Sequence, residues 1–144
     1  MAPYKFKLQQ VLDYRNQLED QAKMAFTQAQ QRYDAHVARV NGLRQRLAEY
    51  EPKLYQTNNP SELWLLRNFV QALTLDVATA ESRLLQLAQE LNKARQNLVK
   101  KSQERKLLDK LKENQAKRHA KEERFKEQQQ FDETATLRYK PQTV

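Results

Sequence analysis

Apolar residues recur at alternating steps of three and four from Leu63 onward: Leu63, Leu66, Val70, Leu73, Val77, Ala80, Leu84, Leu87, Leu91, Ala94 and Leu98. This is a heptad seam, a narrow stripe that stays on one side of a helix only if the helix winds around a partner. Reading backward from Leu54 finds that partner in the same chain. Tyr50, Leu47, Leu43, Val40, His36, Tyr33, Ala29, Phe26, Ala22, Glu19, Arg15, Leu12 and Leu8 follow the same alternation, interrupted by polar side chains only at His36, Glu19 and Arg15. Between the seams lies Thr57-Asn58-Asn59-Pro60-Ser61-Glu62. Asn59 suits an N-cap, Pro60 the first helical position, and Glu62 the returning side chain of a capping box.

So short a connection returns the second helix antiparallel, and antiparallel partners have residue numbers of constant sum. Leu54 with Leu63, Leu47 with Val70, Val40 with Val77, Tyr33 with Leu84 and Phe26 with Leu91 each sum to 117. Tyr50 with Leu66, Leu43 with Leu73, His36 with Ala80 and Ala29 with Leu87 each sum to 116. The fold class expected is all-α: two long helices in an antiparallel coiled-coil hairpin, the second overhanging at its C-terminal end. As a single elongated domain spanning 1–144, it has helix 1 at about 4–54, opening near Pro3, and a turn at about 55–60. Helix 2 follows at about 60–134, with 117–134 as unpaired overhang and 135–144 as tail.

Three features modify this outline. Pro52 removes a hydrogen bond to the Ala48 carbonyl, so helix 1 should kink or fray in its last turn. Gly42 lies off the seam and reads as a tolerated surface glycine costing about 1 kcal/mol relative to alanine. Val11, Leu18 and Ala25 flank the seam positions held by Arg15 and Glu19, so the apolar stripe is expected to drift toward them.

Composition narrows the function classes. The 144-residue chain is 31% charged with a net charge of +8, one Gly, four Pro and no Cys. So few glycines and prolines cannot furnish the turns of a sheet, and a chain without Cys has neither disulfides nor Cys-ligated metal. No apolar run approaches the roughly 18 residues of a membrane span, and nothing resembles a signal peptide.

Chemistry finds no foothold. The register separates His36, beside Ala80, from His119, in the overhang, so they share neither a metal nor a proton. His36 reads as a polar interruption that fixes register. There is no phosphate-binding glycine loop and no nucleophile beside a base. The expectation is no enzyme and no cofactor.

Two surfaces invite partners instead. Lys100 to Lys126 holds eleven basic and five acidic residues, a local charge of +6, with Glu113–Lys117 and Glu122–Lys126 as i,i+4 pairs. Phe125 within it and Phe131, Leu137 and Tyr139 beyond it have no apolar surface of their own to join. At the other end, Trp64, Leu65, Phe69 and Leu75 fall outside the helix 2 seam and Tyr55 outside that of helix 1, an aromatic cluster of the kind that anchors interfaces. A basic coiled-coil nucleic-acid binder is the out-of-class alternative. Zipper basic regions, however, precede their heptads and belong to parallel dimers, so specific nucleic acid is not expected.

Phe6-x-Leu8-x-x-Val11-Leu12-x-x-Arg15 with Glu19 and Ala22, Trp64 followed by Asn68-Phe69-Val70 and Leu73, and Phe131-Asp132-Glu133-x-Ala135 together resemble the flagellar type III export protein FliJ family. The resemblance spans essentially the whole chain. It implies a non-enzymatic stalk, similar to the central shaft of rotary ATP synthases, that inserts its termini-bearing end into the hexameric flagellar export ATPase and promotes its assembly and activity. It also implies contact with the membrane export-gate protein and with export chaperones. The implied location is the bacterial cytoplasm, peripheral to the inner membrane at the flagellar base. The equivalent stalk of a virulence type III secretion system is the alternative.

For the gate-binding surface the resemblance points to Leu43, Tyr50, Phe69 and Leu73, joined by the nearby Trp64. Of the four, Phe69 is the one outside the seam. For the ATPase ring it points to Phe6, Val11, Arg118, Arg124, Phe125, Phe131, Asp132 and Glu133. The pattern departs at Arg46, where an aromatic is expected.

Overall fold

A computed structural model describes residues 3–139; the outer part of the expected tail, from 140 on, lies outside them. Two helices account for nearly all of it: α1, Gln9–Tyr50, and α2, Pro60–Arg138, joined through a short 3-10 turn at Pro52–Tyr55. They pack against each other as an antiparallel hairpin, and no strand occurs among the described residues.

The connection follows from its sequence. Pro52 cannot donate to Ala48, and α1 ends at Tyr50, as the position of that proline requires. The chain tightens instead, with Leu54 N–H donating to the Glu51 carbonyl at 3.2 Å and Gln56 N–H to that of Lys53 at 3.2 Å. At the start of α2, Asn59 Oδ1 accepts from Ser61 N–H at 3.0 Å, the N-cap bond. Glu62 reaches back, but through an intermediary. The Thr57 hydroxyl donates to Glu62 Oε2 at 3.0 Å and itself accepts from Asn59 N–H at 3.4 Å.

Close packing divides the chain into two units, one within Asp20–Lys100 and one formed by the described residues of Met1–Glu19 and Lys101–Val144. In the first, every seam position from Ala22 to Leu54 and from Leu63 to Leu98 is buried or half-buried. Val40, 1% exposed, is its most enclosed side chain. The expected register is met at the atomic level: His36 Nε2 lies 2.8 Å from the carbonyl oxygen of Ala80, the pair summing to 116. A carbonyl only accepts, so Nε2 carries the proton. The bond adds to, rather than replaces, the helical bond of that carbonyl.

The expected drift occurs only at Leu18, which is half-buried; Val11 in the second unit is 42% exposed and Ala25 in the first is exposed, whereas Leu12 at 3% and Glu19 at 5% are buried. The seam keeps its track because its polar members are paired across the helices. Arg15 Nη1 meets Glu104 Oε2 at 2.7 Å, and Arg105 Nε meets Glu19 Oε2 at 2.8 Å while its Nη1 meets Asp109 at 2.6 Å. The helical period also persists on α2 beyond Leu98, where Arg105, Lys112, Ala116, His119 and Glu123 are half-buried.

The N-terminal segment departs from expectation as well. Helix α1 begins at Gln9 rather than near Tyr4, its first N–H bonded to the Phe6 carbonyl at 3.1 Å. The non-helical Phe6 is then the buried residue, at 7%, and Leu8 is 40% exposed. This segment pairs farther along α2 than a boundary at 117 allows. Tyr4 donates to Gln115 Oε1 at 3.2 Å and its ring lies 5.4 Å from that of His119. The fully exposed run therefore begins at Arg124 and continues through Tyr139.

Candidate interaction surfaces

Around the interhelical turn, the rings of Phe69 and Tyr50 meet in a T-shaped contact, centroids 4.7 Å apart at 69°, and Lys53 Nζ sits 4.4 Å from the Tyr50 centroid. Phe69 remains 41% exposed, so part of the ring packs on Tyr50 and part is open to solvent. Trp64 and Leu65, 65% and 62% exposed, stand side by side over Pro60 and Ser61. Tyr50 and Leu43 are half-buried in the seam, and Leu73 is buried. Of the five residues considered for gate binding, the structure thus brings Tyr50 and Phe69 into contact and leaves Trp64 and Phe69 accessible. The Lys53 ammonium over Tyr50 was not anticipated. Its signal in the sequence is the i,i+3 spacing, which places a cation beside an aromatic on a helical turn.

The second surface is the C-terminal run of α2. Phe125, Phe131, Leu137 and Tyr139 are 64%, 72%, 86% and 74% exposed. Steps of six residues advance about 600° on an α-helix, so Phe125, Phe131 and Leu137 project about 120° apart around the axis rather than from one face. Arg124, Asp132 and Glu133 are exposed among them. Asp132 accepts from Gln128 Nε2 at 3.2 Å, and its carbonyl from the Thr136 hydroxyl at 2.8 Å.

Just before this run, Lys117 pairs with Glu113 at 3.0 Å, as its spacing requires, and Arg118 lies 3.7 Å from Glu122. Acids thereby offset part of the basic character that would draw phosphates. Of the other residues considered for the ATPase ring, Val11 is exposed and Phe6 is enclosed. One guanidinium stands out electrostatically: its hydrogen bonds to Glu19 first and Asp109 second raise Arg105 above the ordinary arginine range.

Among the described residues no group of His, Asp or Glu is placed to hold a metal ion. No described helix is long and apolar enough to cross a membrane. A family model described as flagellar FliJ protein matches residues 4–143. Comparison with curated proteins and with solved structures finds no match.

Proposed function

Because the chain belongs to the flagellar FliJ family, which is associated with flagellar protein export, we propose that it is a non-enzymatic stalk and adaptor of that export apparatus. In this reading the exposed end of α2 enters the ring of the hexameric export ATPase and promotes its assembly and turnover. The surface around the interhelical turn meets the membrane export-gate protein, which holds the chain at the cytoplasmic face of the inner membrane at the flagellar base.

The observation that carries the reading is the distribution of Phe125, Phe131 and Leu137 around a solvated helix, each at least 64% exposed. A flat partner would cover one of the three, whereas a collar closing around the helix would cover all of them. Their burial at about 25 cal/mol per Å² would supply the affinity, and Arg124 and Arg138 would supply attraction to acidic groups lining such a collar. Phe6, enclosed against α2, serves this end by holding the N-terminal segment in place rather than by touching the ring.

Purified export ATPase titrated with the full chain tests the proposal. Hydrolysis and the hexameric fraction should both rise; no binding and no change in either would overturn it.

A further inference from the structure

The back of α2, opposite the seam, carries a second heptad stripe. One row runs Trp64, Gln71, Ala78, Leu85, Asn92 and Val99; the other runs Asn68, Leu75, Ser82, Gln89 and Gln96. All of these positions are exposed, and none is charged, although 31% of the chain is. Every charged residue between Trp64 and Val99, from Arg67 to Arg95, lies off the stripe. On a single solvated helix nothing requires such sorting. Four of its members are large apolar side chains, with Trp64, Leu75, Leu85 and Val99 at 65%, 69%, 69% and 50% exposure.

We propose that this stripe is a self-association surface, across which two copies of the chain pair their α2 helices antiparallel about a two-fold axis at Ser82. The argument is self-complementarity. In that register the first row pairs by numbers summing to 163: Trp64 with Val99, Gln71 with Asn92, Ala78 with Leu85. The second row sums to 164, placing Asn68 opposite Gln96 and Ser82 opposite its own copy. Apolar meets apolar and amide meets amide, the one mismatch being Leu75 with Gln89. A parallel pair would match trivially; an antiparallel pair matches only because the pattern reads alike in both directions.

Charge points the same way. A chain of net charge +8 repels its own copy, and the repulsion is least where the facing surfaces carry no charge. An acidic partner would instead select basic residues here. Of the charges flanking the stripe, Arg67, Glu81, Lys93 and Arg95, two are engaged within each copy: Glu81 by Arg44 at 2.6 Å, and Arg95 over the Phe26 ring at 5.8 Å. A contact over these residues would run about 52 Å along the helix, but with mostly amide side chains between its apolar pairs it would be weak and reversible.

The full chain should sediment as a concentration-dependent mixture of monomer and dimer. Leu85→Glu, at an exposed site that leaves helix content unchanged by circular dichroism, should weaken the dimer about tenfold or more by placing two charges against Ala78. Because the chain has no cysteine, Ser82→Cys supplies a single thiol at the axis and should form a disulfide-linked dimer far faster than Asp76→Cys, an off-stripe control. A chain monomeric at all concentrations overturns the proposal and leaves the stripe to a different protein. Equal cross-linking by the two cysteine variants, or undiminished association of Leu85→Glu, overturns it as well. None of these readouts involves the export ATPase, so they stand or fall apart from the stalk assignment.

Discussion

Glu19 lies in the seam of α1 with only 5% of its surface exposed, and its carboxylate accepts a hydrogen bond from Arg105 Nε at 2.8 Å. A carboxylate taken so far out of water needs a charged partner, which this guanidinium supplies, and Asp109 at 2.6 Å fixes that guanidinium from the other side. Glu19→Ala removes the acceptor and leaves Arg105 facing an apolar gap. The expected loss is about 1.5 kcal/mol, the scale of a hydrogen bond to a charged group at a partly exposed site, read from urea unfolding followed at 222 nm. Glu19→Ala in an Arg105→Ala background should cost markedly less, since the two act as a unit. Additive losses would mean that the pair contributes nothing as a pair.

His36 makes the opposite case, a polar group in an otherwise apolar seam. Its bond to the Ala80 carbonyl fixes which residues stand opposite, but that carbonyl also belongs to a helical ladder and would not be orphaned. His36→Leu is expected to raise the unfolding free energy by about 0.5 to 1 kcal/mol, following the rule that a polar seam residue trades stability for register. A lower melting temperature for this variant would show instead that the hydrogen bond itself is net stabilising.

Much of this is legible in the sequence. A 3.5-residue period and a constant-sum rule need only letters, and they place His36 against Ala80 and keep Val40 and Val77 inside. The polar half of the seam was not legible in the same way, because an apolar search stops at Leu98. Arg15 and Glu19 stand in the seam by period alone, but Glu104 and Arg105 read as surface charges until the register sets opposite signs face to face. Phe6 and Leu8 exchanged roles because α1 starts at Gln9, and helix starts without a strong cap are poorly marked in sequence. For the candidate surfaces, exposure at Trp64, Phe125 and Phe131 followed from their positions off the seam. The T-shaped contact of Phe69 with Tyr50 depends on rotamers that spacing does not encode.

Gly42 offers a test of the surface of α1. A methyl group added there would meet nothing within 4 Å, and the residue has no positive φ. Gly42→Ala should therefore stabilise the helix by about 1 kcal/mol through propensity alone, seen as a higher urea midpoint at unchanged slope. If this variant also loses binding to a partner, the glycine marks a close approach by that partner's backbone.

The turn end is tested at Phe69, which is packed on Tyr50 and still 41% exposed. If it anchors the export-gate protein, Phe69→Ala should weaken binding by about 1 to 3 kcal/mol in titration calorimetry with that protein's cytoplasmic portion. Unchanged affinity would take Phe69 out of the contact and leave Trp64 as the exposed aromatic to examine.

The most direct test of the stalk assignment compares the full chain with one ending at Glu123, just before the exposed run. The rate of ATP hydrolysis by purified export ATPase is followed as each is added. Among the described residues, the groove between the N-terminal segment and α2 is lined as far as Glu122, which the shortened chain retains, so both chains should melt alike. The full chain should accelerate hydrolysis and the shortened one should not. Equal acceleration by the two would contradict the assignment of Phe125, Phe131 and Leu137 to the ring.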